Sequence, residues 1–174
     1  MKFPRVLLPL AAAVLALAGG CDVSASRADA ARLQQLEDRE AIRQLLVDYG
    51  AALDRRDFPA FAALFARDAE YVAGPPVRGP EAISAQLEST LSANPSNLPT
   101  PNFHLSFNPS ITLDGDRASA VSLGAYTAPD PAGGATRMVF FVWYRDQLVR
   151  EDGRWKFLRR EVGSGALPPV ATAD

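Results

Sequence analysis

Apolar positions along the chain change their period once. Leu33, Leu36, Ile42, Leu45, Leu46, Tyr49 and Leu53 fall mostly three or four residues apart, the spacing of one apolar stripe on a helix. Asp38, Arg39, Glu40, Arg43 and Gln44 supply its polar face, and Arg55-Arg56-Asp57 closes it with basic residues at the negative end. Asp57 can cap a short second helix with Pro59 in its first turn and Phe61, Leu64 and Phe65 turned inward. A short strand follows at 69–73, and Gly79-Pro80-Glu81 opens a third helix bearing Ile83, Leu87 and Leu91. The stretch 94–101 holds three prolines and reads as a loop.

Beyond it the period becomes two. Phe103, Leu105 and Phe107 alternate with His104, Ser106 and Asn108. Ile111 to Leu113 leads into Asp114-Gly115-Asp116, a hairpin signal. Long strands are predicted over 117–128 and 137–149, and a last one over 155–162 after the turn Glu151-Asp152-Gly153-Arg154. Helices first and an antiparallel meander afterwards predict an α+β fold with the helices on one face of the sheet.

The first twenty residues break from this pattern. Lys2 and Arg5 precede an apolar run from Val6 to Ala18, small residues follow, and then comes Cys21. The run is shorter than the roughly 20 residues a spanning helix needs and reads as a secretory signal over 1–20. Leu17-Ala18-Gly19-Gly20-Cys21 resembles a bacterial lipobox, although its leucine stands four residues before the cysteine. That resemblance makes Cys21 the lipidation site and predicts an exported, membrane-anchored lipoprotein facing the periplasm or the cell exterior. Ala16-Leu17-Ala18 offers the alternative of ordinary cleavage and a secreted soluble protein. A tether over 21–32, a domain over 33–162 and a loose tail over 163–174 complete the organisation.

Composition excludes more than it selects. The chain of 174 residues carries 18 Lys+Arg and 20 Asp+Glu, a net charge of −2, without the basic stripe that nucleic acid demands. Since Lys2 and Arg5 belong to the leader, 16 basic and 20 acidic residues remain, so the exported part carries −4. One Cys and one His leave no metal centre to build, and no Walker, dinucleotide or nucleophile-elbow motif is present, so no cofactor is expected.

The segments Asp38-Arg39-Glu40-Ala41-Ile42 through Tyr49 and Asp54, then Phe65-Ala66-Arg67-Asp68-Ala69, together resemble the opening of SnoaL-like proteins of the NTF2-like superfamily. The likeness continues through Ile111-x-x-Asp114-Gly115-Asp116-x-Ala118 and ends in Tyr144-x-Asp146-x-Leu148-Val149-Arg150-Glu151-Asp152-Gly153-Arg154-Trp155. It implies a cone, a strongly curved antiparallel sheet wrapped around N-terminal helices, enclosing an apolar pocket and often dimerising through the outer sheet face. It also implies a site. An Asp near the end of the first helix, here Asp54, pairs with a His on the strand before the hairpin, here His104. His104 would then be the general acid–base, Asp54 its orienting partner, and Tyr49 a donor to a substrate carbonyl. Tyr126, Phe65 and Trp143 are the candidate substrate-lining residues. Two functions follow: a cofactor-free dehydratase, isomerase or cyclase acting on a small hydrophobic carbonyl compound, or a non-catalytic, membrane-tethered module that binds an apolar ligand or a partner protein. A homodimer is expected for either.

Overall fold

Helix α1 (Gly19–Arg55) and the short α2 (Phe58–Ala63) precede strand β1 (Phe65–Val72). A three-residue β2 (Pro76–Arg78) leads into α3 (Pro80–Ala93), and four long strands follow: β3 (Phe103–Asp114), β4 (Arg117–Pro129), β5 (Thr136–Glu151) and β6 (Arg154–Gly163). The computed structural model describes residues 19–94, 100–130 and 132–166. The expected leader, the side chain of Cys21 and the end of the tail lie outside these residues. The stretch expected as a tether is helical, its backbone continuous with α1. Among the described residues, those up to Leu36 belong to one unit and those from Glu37 onward to the other, which holds the sheet and the candidate site.

The six strands form one curved, unclosed sheet in the order β2-β1-β6-β5-β4-β3. All neighbours are antiparallel except β1 and β6, which run parallel. Strand β1 is longer than its predicted core of 69–73 because Phe65 already pairs with Phe157. The helical stripe of α1 delivers Ile42, Leu45, Leu46, Tyr49, Ala52 and Leu53 into a core shared with Phe61, Phe65, Leu148 and Phe157. Leu33 and Leu36 depart from the predicted stripe and are exposed, so the buried face of α1 begins only beyond the first unit. Asp38 departs in the other direction. Placed on the polar face by period, it is buried because the Trp155 indole N–H and the Arg150 guanidinium both donate to its carboxylate.

Alternation in β3 settles which face is inside, and it is the polar one. Phe103 and Leu105 are exposed, whereas His104 and its cross-strand partner Tyr126 point toward the helices. A bulge interrupts the alternation of β3 after Phe107. Asn108 takes a left-handed conformation (φ 53°), Pro109 follows, and pairing resumes at Ser110 opposite Val121. Pro109 is tolerated because β3 is an edge strand.

Candidate active site at the end of the first helix

Gly50 sits inside α1, five residues before its end, where glycine costs about 1 kcal/mol relative to alanine. A Cβ there would lie 2.8 Å from the carbonyl oxygen and 3.3 Å from the Cβ of His104. The missing side chain lets the helix approach the start of β3, and Asp54, one turn further along the same helical face, reaches His104. Oδ1 of Asp54 accepts from the His104 backbone N–H at 2.9 Å and from the ring Nδ1 at 2.7 Å, while Oδ2 lies 3.2 Å from the same backbone nitrogen. One carboxylate therefore fixes both the main chain and the ring of its partner.

Because a carboxylate only accepts, Nδ1 carries a proton, so in the neutral ring Nε2 is the nitrogen with the lone pair. An acid in the last turn of a helix opposes the helix dipole; these three contacts supply the compensation. Tyr126 packs its ring 4.6 Å from the imidazole and is stacked on Phe140 at 5.0 Å. Burial raises the Tyr126 phenol above its usual value and the neighbouring Arg56 opposes part of that, so the hydroxyl stays protonated at neutral pH.

Arg56 and Asn102 complete the cluster, and neither was singled out from sequence. Arg56 follows the helix in a left-handed conformation (φ 58°). Its N–H bonds the carbonyl of Leu53 at 3.1 Å and the Asp57 N–H that of Ala52 at 2.9 Å, the paired bonds of a Schellman end. The Arg56 guanidinium donates to Leu53 O and, at 3.1 Å, to Oδ1 of buried Asn102. The available signal was an arginine where a helix end favours glycine.

Other sequence candidates lie elsewhere. Tyr49 is buried in the core, its hydroxyl 3.4 Å from that of Tyr71, its ring packed on Phe61, Tyr144 and Phe157. It belongs to a second polar cluster, in which fully buried Arg160 makes a two-pronged pair with Asp146 at 2.8 and 2.9 Å. The Arg160 guanidinium lies 4.1–4.2 Å from the rings of Tyr49, Tyr144 and Phe157. Burial works against its charge, but the Asp146 carboxylate outweighs that and holds it above its usual range. Burial likewise pushes the Tyr49 phenol well up. Asp146 could have been found in the sequence, since it alternates with Tyr144 and Leu148 on the inner face of β5. Phe65 is a core residue, wedged between the rings of Phe61 and Phe157. Trp143 is on the opposite face of the sheet from His104, its ring occupying the space over Gly163. The structure thus brings His104, Asp54 and Tyr126 together and leaves Tyr49, Phe65 and Trp143 out of that cluster.

Two surface clefts lie away from this cluster. One of about 710 Å³ is lined by Asp48, Leu64, Arg150 and Trp155, and one of about 460 Å³ by Arg67, Arg78 and Arg159. Among the described residues no three His, Cys, Asp or Glu side chains group as metal ligands.

A curved sheet packed on an N-terminal helix whose last turn sets Asp54 against His104 of β3 defines an NTF2-like α+β protein. A model of the SnoaL-like domain matches residues 34–161, and the chain belongs to that family. The Mycobacterium tuberculosis protein Rv2910c is 32% identical over 127 residues, covering 72% of this chain and 84% of its own length. Among solved structures, an NTF2-like protein with a cystatin-like fold from Novosphingobium aromaticivorans is 27% identical with a TM-score of 0.66, covering 84% of this chain and 90% of that one. A second protein from that organism, provisionally named a scytalone dehydratase, shares the fold at 24% identity and a TM-score of 0.60, covering 80% and 97%.

Proposed function

We propose that Asp54 and His104 form a cofactor-free acid–base site that eliminates water from, or moves a double bond within, a small hydrophobic carbonyl compound. The carrying observation is the 2.7 Å contact between Asp54 Oδ1 and His104 Nδ1, made by a carboxylate that also anchors the His104 backbone. The pair leaves Nε2 as the base. It takes the proton from the carbon next to the carbonyl, and the C–H electron pair becomes the enolate. Asp54 stabilises the imidazolium that results. In a dehydration the imidazolium returns that proton to a β-hydroxyl, which departs as water while the C=O reforms; in an isomerisation the proton goes to another carbon. The provisional name of the scytalone dehydratase neighbour belongs to this reaction class.

The test is a panel of β-hydroxy ketones followed by enone absorbance, with α-proton exchange in deuterium oxide read by NMR. Wild type exchanges or dehydrates at least one member, and His104→Gln loses about 100-fold or more in kcat, the usual scale for a positioned acid–base group. Equal turnover by His104→Gln, or no exchange by wild type, overturns the reading.

A further inference from the structure

We infer that Arg56 and Asn102 form a clamp that positions His104: the guanidinium, braced on the end of α1, holds the residue two before His104 and so keeps the imidazole in register with Asp54. This role rests on the dyad reading and adds to it the two side chains that hold the dyad together.

Arg56 stands where an arginine is out of place. Among the described residues four that are not glycine take a left-handed backbone: Arg56, Asn94, Asn108 and Asp152. Asparagine and aspartate tolerate that conformation, a long side chain is penalised in it, and glycine is what such a helix end favours. Closure of the helix does not call for the guanidinium, because backbone bonds from Arg56 to Leu53 and from Asp57 to Ala52 already complete it. The side chain instead folds back, so that Nη1 donates to the Leu53 carbonyl while Nη2 donates to Oδ1 of Asn102 at 3.1 Å. One end of the fork is braced on the helix, and the other grips a buried side chain immediately before β3.

That grip matters because of what Asp54 already has to do. Strand β3 is at the edge of the sheet and pairs with β4 alone. Oδ1 of Asp54 serves both the His104 backbone N–H at 2.9 Å and the ring Nδ1 at 2.7 Å. With that single attachment the start of β3 would pivot about His104, and main chain and ring would compete for one oxygen. A second attachment two residues away removes the pivot, so the strand is fixed in rotation as well as in position and the carboxylate stays on the ring. A shift of about 1 Å in an acid–base group can cost about 100-fold in rate. The clamp therefore acts on the reaction through His104, without touching the substrate.

The chain has one histidine, so its ring N–H is read without ambiguity by NMR of isotope-labelled protein. Wild type is expected to show a downfield Nδ1–H resonance in slow exchange with water. In Arg56→Gly that proton should exchange faster, and kcat on the β-hydroxy ketone panel should fall about tenfold with KM nearly unchanged. The urea midpoint of Arg56→Gly should change little, since glycine suits the left-handed backbone and offsets the lost hydrogen bonds. A weakened ring contact in a protein of unchanged stability separates positioning from a merely structural role. Asn102→Ala should reproduce the effect, and the double variant should be no worse than either single one, because the two side chains act as a unit. Asn102→Asp keeps an acceptor oxygen for Arg56 and should retain the wild-type resonance. A ring proton in Arg56→Gly that exchanges as slowly as in wild type, or losses that add in the double variant, overturns the inference; absence of the resonance from wild type overturns dyad and clamp alike. No substrate is needed for the resonance, so lack of turnover by wild type strikes the proposed reaction while the clamp is still judged. Turnover lost in His104→Gln but intact in Arg56→Gly removes only the clamp.

Discussion

Asp54–His104 and Asp146–Arg160 are both short carboxylate–nitrogen pairs on the inner side of one sheet, yet they differ in every respect that separates chemistry from architecture. The Asp146 and Arg160 side chains are 0% exposed, and aromatic rings close around the cation. Asp54 and His104 keep 17% and 13% of their side chains exposed, at the mouth of the helix end. In the first pair both carboxylate oxygens are taken by the same guanidinium, which cannot release a proton. In the second, only one ring nitrogen is held by the carboxylate, and the other is not engaged by it. A buried polar cluster marks a reaction site when one of its members retains an unspent, exchangeable valence. Tyr49 illustrates the other outcome: its phenol is buried, held by another phenol and a cation, and serves packing.

This contrast can be broken from either side. Asp146→Ala leaves a buried guanidinium without its counter-charge, and the expected loss of stability is about 3–5 kcal/mol by urea denaturation. A loss below about 1 kcal/mol would show that the aromatic rings alone suffice for Arg160. Gly50→Ala forces a methyl group against the His104 carbonyl, so it should cost about 1–3 kcal/mol as an overpacked contact. It should also part Asp54 from His104, and NMR of the single histidine should show loss of the downfield Nδ1–H resonance; retention of that resonance would mean that the helix yields elsewhere. The smallest effect concerns pH. Burial raises the phenols of Tyr49, Tyr71 and Tyr144 in the folded protein, so the folded state holds protons that the unfolded chain releases near pH 10. Their contribution is complete below that value and declines as pH rises above it. Urea midpoints should fall above about pH 10, and Tyr49→Phe should flatten that fall; an unchanged slope would remove Tyr49 from its cause.

Much of the fold was legible because each element announces its period. Ile42 to Leu53 mark α1, Asp57 and Pro59 open α2, and Asp114-Gly115-Asp116 closes the β3–β4 hairpin as the turn residues dictate. Period two, however, says which residues share a face and not which face is enclosed. Trp143 therefore looked as much like lining as Tyr126 did, until the packing of α1 settled the matter. The β2 strand was too short to carry a period, and the parallel β1–β6 pairing joins residues about 90 apart in sequence. The Asp54–His104 pairing came from the family resemblance, since fifty residues separate the two and no local pattern links them. Arg56 was visible as a helix-closing cation, but its reach to Asn102, 46 residues on, depends on tertiary structure.

The bulge at Asn108-Pro109 has a consequence for how these molecules behave in a crowd. Strand β3 is a 12-residue rim whose outer backbone could template another chain, and its exposed Phe103 and Leu105 would make such an addition adhesive. Proline offers no N–H there and the left-handed asparagine bends the rim, so an incoming strand meets two short lengths instead of one long one. Asp54 already occupies the backbone N–H of His104 in the first of those lengths, and the opposite rim, β2, spans only three residues. The curved sheet can thus stay open without inviting copies of itself to polymerise along its margins.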